Sequence, residues 1–199
     1  MKYEVSNGKL NLYIDDGNIK KVINHTKKLI KLCDNKKLIL EINFKGNKES
    51  KEYKDLVMIK TAINYKTKEE RYEYIYDTVC KILDEKIMKE NYCEFENDVC
   101  IRFKKENPNH KNGCCEWKGR GKCKYLINSE CTMKTCMACK LFTCPFLYKE
   151  KGIRQKINDY VLIKYFFNRN QKYILECSFW TPKEIVMKRL LANNFKINS

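Results

Sequence analysis

The chain has 199 residues, 43% of them hydrophobic, enough for a packed core and too many for wholesale disorder. It carries 41 basic and 25 acidic residues, a formal net charge of +16, and no apolar run near the ~20 residues of a membrane span. Its first residues are acidic and polar and lack the apolar stretch of a secretory signal, so a cytoplasmic chain is expected; in that reducing compartment twelve cysteines read as metal ligands or reactive thiols before disulfides.

Residues 1–66 hold one cysteine, Cys33, and the pattern of a small α/β unit. "KLNLYI" (9–14) predicts a strand, Asp16-Gly17-Asn18 a turn with Asp16 as a helix cap, and Ile19, Val22, Ile23, Thr26, Leu29 and Ile30 recur at helical spacing. "KLILEINF" (37–44) predicts a second strand, while 53–65 fits helix or strand equally. Thr67 and Glu70 form a capping box that opens a helix expected to reach about Glu90. Its apolar face runs through Tyr72, Ile75, Tyr76, Val79, Leu83 and Ile87, with Cys80 beside it as a core thiol. Beyond the cysteine-dense stretch, Ile153, Ile157, Tyr160, Val161, Lys164 and Phe167 predict a helix. Thr181-Pro182-Lys183-Glu184 predicts a second capping box with proline at the first helical position. "QKYILECSFW" is ambiguous. The fold class is α+β: a small N-terminal α/β unit (1–66), then a mainly helical, metal-organised cysteine-rich module (67–199) whose cysteine core spans 93–144.

That core contains Cys93, Cys100, Cys114, Cys115, Cys123, Cys131, Cys136, Cys139 and Cys144, with few large aliphatic residues, so something must cross-link it. Thiolates are soft ligands suited to zinc and to iron–sulfur clusters. Cys131-x4-Cys136-x2-Cys139 matches the first three ligands of a plant-type ferredoxin, but Cys144 follows where a long loop should intervene. Only Cys136-x2-Cys139 has the spacing of a zinc-ribbon knuckle.

"GCC…CKYL…C…CKLFTC" (Gly113 to Cys144) resembles the cysteine-rich proteins of the YkgJ type, associated with zinc or iron chelation, and more closely cysteine-rich proteins of clostridia. The resemblance covers about 70–155 and implies a metal-chelating core. A Cys-x2-Cys usual before GCC is replaced here by Cys93-x6-Cys100, and Cys136 stands beside the shared pattern. The ligand set expected is therefore Cys93, Cys100, Cys114, Cys115, Cys123, Cys131, Cys139 and Cys144, enough for two four-thiolate sites. Cys33, Cys80, Cys136 and Cys177 are expected not to bind metal.

Net charge is +7 over 1–66, −5 over 67–100, +10 over 101–156 and +4 over 157–199, so it peaks among the cysteines. Cations there offset thiolate charge, and 35 of the 41 basic residues are lysine, as in the surfaces a low-GC genome writes. The competing reading is a nucleic-acid interface, or one for another acidic macromolecule, in the loop 113–126. There Trp117 would stack on a base while Lys118, Arg120, Lys122 and Lys124 meet phosphates. His110 lies close enough to the cysteines to be a ligand; His25 sits on a lysine-rich helix, facing solvent. Glu69-Glu70 and Asp84-Glu85 read as a solvated helix face. No phosphate loop, dinucleotide fingerprint or Ser/His/Asp arrangement is present, and no small-molecule substrate can be named. The function expected is metal binding through zinc or an iron–sulfur cluster, the alternatives being the nucleic-acid module and an iron–sulfur redox protein or accessory factor. Ligation by thiolates alone leaves no open position for hydrolytic chemistry.

Overall fold

The structure, a computed structural model, describes residues 2–85, 95–97, 99–101, 105, 125–128, 130–131 and 136–197. It is α+β, with a three-stranded sheet at the N-terminus, then mainly helices with two short two-stranded sheets among them. Strands β1 (Lys2–Ser6) and β2 (Lys9–Asp15) form an antiparallel hairpin. Asn7 and Gly8, both left-handed at φ 49° and 71°, make its two-residue turn, the geometry that asparagine–glycine favours. β2 then pairs in parallel with β3 (Ile39–Lys45), giving the order β1-β2-β3. A parallel partner needs a crossover, and the helices α1 (Ile19–Asn24) and α2 (Thr26–Lys36) supply it. One face of β2 is buried through Leu10, Leu12 and Ile14.

The single helix suggested by Ile19 to Ile30 is two helices that meet at His25. His25 is half-buried there, its Nδ1 2.7 Å from the Lys21 carbonyl. Asp16 does not cap α1. Its carboxylate instead accepts the Asn47 N–H at 3.1 and 3.2 Å, pinning the loop after β3. The segment of ambiguous pattern is helix α3 (Lys51–Asn64), opened by Ser50, whose hydroxyl accepts the Tyr53 N–H. α4 (Lys68–Leu83) starts with both arms of the Thr67–Glu70 capping box in place; residues 86–90 lie outside the described set.

Two short antiparallel hairpins follow. β4 (Phe95–Glu96) pairs with β5 (Val99–Cys100), and β6 (Leu126–Ile127) pairs with β7 (Glu130–Cys131). Then come α5 (Met137–Leu141), α6 (Pro145–Lys149), a 3₁₀ turn at Ile157–Asp159, α7 (Val161–Phe166), α8 (Arg169–Cys177) and α9 (Lys183–Ala192). The helix expected over 153–167 is thus shorter and interrupted, and the ambiguous "QKYILECSFW" is mostly α8. The second capping box does not form: Pro182 itself caps α9 with no side-chain bond, and the Thr181 hydroxyl donates to the Phe179 carbonyl. One continuous set of buried side chains runs from Leu10 through Leu56, Ile75 and Met137 to Leu190. Among the described residues no helix is long and apolar enough to cross a membrane.

Candidate metal centre

α5 has five residues, far too few to be stable alone. It exists because Met137 and Leu141 are buried, at roughly 1.5–3 kcal/mol for each such side chain, as it packs between α4 and α8. The Met137 N–H donates to the Tyr76 hydroxyl of α4 at 3.1 Å, and burial raises the pKa of that phenol, keeping it protonated. Lys140 is buried as well, its ammonium paired with Asp84 just beyond α4. Asp84 therefore belongs to a helix contact and not to a solvated face.

Cys136 immediately precedes α5 in extended backbone, and Cys139 lies one turn along. The spacing C-x2-C in "CMAC" returns both side chains to one side, close enough for the Cys139 side chain to be the leading influence on the Cys136 thiol. Cys136 is only 1% exposed; Cys139 is half-buried. As a thiol, Cys136 donates to the Ser178 carbonyl at 3.5 Å. As a thiolate it is stabilised first by the Cys139 side chain, then by the backbone N–H groups of Cys139, Trp180 and Thr181. Together these outweigh burial and hold its pKa well below that of an ordinary thiol. Trp180 has φ 54°, a left-handed conformation uncommon for a bulky residue and worth roughly 1–3 kcal/mol of strain. That turn, just after α8, brings the backbone of Trp180 and Thr181 near the Cys136 thiol.

The other described thiols differ. Cys33 and Cys80 are buried without such donors, and burial pushes their pKa values up to about 11 and about 12. Cys80 fits the core role the sequence suggests for it, and Cys33 also lies in the core. Cys177 is half-buried at the end of α8. Of the expected ligands, Cys100 is buried in β5 and the backbone of Cys131 lies in β7. Cys144 is half-buried before α6, where its sulfur accepts the Leu147 N–H at 3.5 Å. Cys93, Cys114, Cys115 and Cys123 lie outside the described residues, as do His110 and the loop residues Trp117, Lys118, Arg120, Lys122 and Lys124. The described residues bring together Cys136 and Cys139 and hold no group of three or more His, Cys, Asp or Glu with metal-site geometry; the cysteines with described side chains form no disulfide.

Cys136, which the resemblance to the YkgJ-type proteins sets aside, is among the described residues the thiol with the most built surroundings. The signal in the sequence was its membership of the chain's one C-x2-C. No protein-family model, curated protein or solved structure matches the chain.

Proposed function

We propose that this is a metal-binding cysteine-rich protein that holds zinc or an iron–sulfur cluster through cysteine thiolates. The observation that carries the reading is the Cys136–Cys139 pair: two cysteines one helical turn apart, with buried Cys136 favoured as a thiolate first by the Cys139 side chain and then by the backbone of Cys139, Trp180 and Thr181. A thiolate, not a thiol, ligates metal, and N–H groups bonded to a ligating sulfur stabilise its charge. The donor set therefore fits a soft metal, with Cys136 joining Cys139 as a candidate ligand. Further thiolates would come from the other cysteines of 93–144, and the resemblance to the YkgJ-type proteins points the same way. Four thiolates on one zinc would supply a cross-link of order 10 kcal/mol to a segment poor in apolar side chains.

Elemental analysis and absorption spectra of protein purified without oxygen or added metal test the reading. We expect zinc with a colourless solution, or iron and sulfide with a brown one. Cys136→Ser and Cys139→Ser should each lower the metal content, while Cys33→Ser and Cys80→Ser leave it unchanged. Protein that holds no metal when purified in this way overturns the reading, and so does retention of all metal by the Cys136→Ser/Cys139→Ser double variant.

A further inference from the structure

Some of the described lysines form ion pairs: Lys9 and Lys60 meet Glu41, Lys20 meets Glu52, Lys54 meets Glu49, Lys140 meets Asp84 and Lys183 meets Asp77. Others among the described residues lack them, and on one face several such lysines come from different helices that pack together. α2 exposes Lys27, Lys28 and Lys31, spaced at three and four residues along one side. α7 packs against α2, and the Tyr165 hydroxyl donates to Asn24 at 3.0 Å, fixing α7 at the junction of α1 and α2. α7 exposes Lys164, and Lys172 of α8 reaches back over it.

Lys172 is held in place by neutral acceptors. Its ammonium donates to Asn158 Oδ1 at 2.7 Å and to the Lys164 carbonyl at 3.3 Å. Neither acceptor cancels its charge, and both orient it. Burial, then the charges of Lys27 and Lys164, lower its pKa; Glu176, one turn along α8, opposes this without forming an ion pair. Among the described residues none of Lys27, Lys28, Lys31, Lys164 or Lys172 has a salt-bridge partner, and Asp34, the carboxylate of α2, is already committed to Arg71. Lysines without ion pairs occur elsewhere among the described residues too, but here one of them is held in place by two neutral acceptors. Here three secondary elements bring like charges together and fix the central one.

We propose that Lys27, Lys164 and Lys172 form a phosphate-binding site for the backbone of a nucleic acid, continued along α2 by Lys28 and Lys31. Lysine meets phosphate as a point charge without reading base identity, so the contact is independent of sequence. The extension of the site over a turn of α2 fits a chain of phosphates better than a single one. The inference is independent of the metal reading, since it rests on other residues.

The test is fluorescence anisotropy of a labelled oligonucleotide of ~20 nucleotides, single-stranded and as a duplex, with the full chain between about 50 and 200 mM salt. The variant Lys27→Gln/Lys164→Gln/Lys172→Gln is compared with Lys2→Gln/Lys48→Gln/Lys66→Gln, which removes the same charge from exposed lysines that also lack ion pairs. We expect the site variant to bind at least ~10-fold more weakly and to lose about 2–3 from the slope of log affinity against log salt, against little change for the control. Lys27→Gln/Lys164→Gln leaves the Lys172 hydrogen bonds intact and should lose about 1–2 from that slope, which keeps the test usable if the triple variant is unstable. Absence of binding at the lowest salt overturns the proposal, as does equal weakening by the control. So does tight binding of ATP without binding of either oligonucleotide, which would mark a free-nucleotide site. Polyglutamate bound as tightly as the oligonucleotide would mark a surface for acidic protein and overturn it too.

Discussion

Replacing Asp34 by alanine strips the counter-charge from a guanidinium that is nearly enclosed. Arg71 is 7% exposed, and its two terminal nitrogens donate to the Asp34 carboxylate at 3.0 and 2.8 Å. One of them also donates to the Ile63 carbonyl at 3.1 Å, Nε has no partner among the described residues, and the group lies over the Phe166 ring. The clamp ties α4 to α2 and to the end of α3, and α4 is the helix against which the Cys136 site is built. Stranding one member of a buried pair costs about 3–5 kcal/mol. The Asp34 side chain is 43% exposed, so water reaches the position its carboxylate vacates, and the expected cost falls to about 2–3 kcal/mol. Arg71→Met acts differently: it removes the desolvated charge itself, returns Asp34 to water, and leaves the Ile63 carbonyl without its donor, at about 1–2 kcal/mol. Asp34→Ala should therefore destabilise more than Arg71→Met, and the double variant should match Arg71→Met alone. In thermal unfolding, where 1 kcal/mol moves the Tm of a chain this size by about 2–4 °C, Asp34→Ala should cost about 5–10 °C and Arg71→Met roughly half of that. If Arg71→Met costs the more by 1 kcal/mol or so, the attraction within the pair exceeds the desolvation of the guanidinium and the reasoning is wrong.

Thr67→Ala removes the acceptor of the Glu70 N–H and one arm of the capping box; about 1 kcal/mol should be lost, seen as a lower urea midpoint with unchanged slope. Gly46→Ala would put a Cβ 2.6 Å from the Asp16 carboxylate, which is fixed by the Asn47 N–H. A loss of about 1–3 kcal/mol is expected, mostly relieved in an Asp16→Ala background, and a neutral Gly46→Ala would show that the loop yields freely. In reduced, metal-free protein the thiolate absorbance lost on Cys136→Ser should titrate below the ordinary thiol value of ~8.5. Because the folded pKa is lowered, the stability it contributes is present above the unfolded thiol pKa and is lost as pH falls through the folded value. Unfolding midpoints of wild type and Cys136→Ser should therefore diverge at alkaline pH and converge in acid, and parallel curves would refute the assignment.

Which features were legible in the chain depended on how local their causes are. The Thr67–Glu70 box is visible because cap and reciprocal partner lie three residues apart and need nothing else. β2 and β3 declare themselves by composition, whereas their parallel pairing depends on how α1 and α2 cross between them. The helical nature of α3 is decided by burial of Leu56, Ile59, Ala62 and Ile63 against the rest of the fold. α8 carried an equally local sign, Asn168 and Gln171 as a capping box, hidden because an apolar run with a cysteine and a tryptophan follows.

The site shows where such reading stops. Cys136 and Cys139 are neighbours by spacing, and the leading influences favouring a thiolate at Cys136 come from Cys139 itself; the others come from Trp180 and Thr181, more than forty residues away. Thr181 also looked like a helix cap, and that expectation failed for the same reason. The left-handed backbone at Trp180 turns the chain so that the Thr181 hydroxyl bonds back to the Phe179 carbonyl, and α9 begins instead from Pro182. The turn that spoils the capping box is the turn that brings the Trp180 and Thr181 backbone near the Cys136 thiol. A local rule broken at a strained residue beside a buried thiol with a lowered pKa is the pattern expected where a fold gives up helix-cap stability to shape the surroundings of a reactive group.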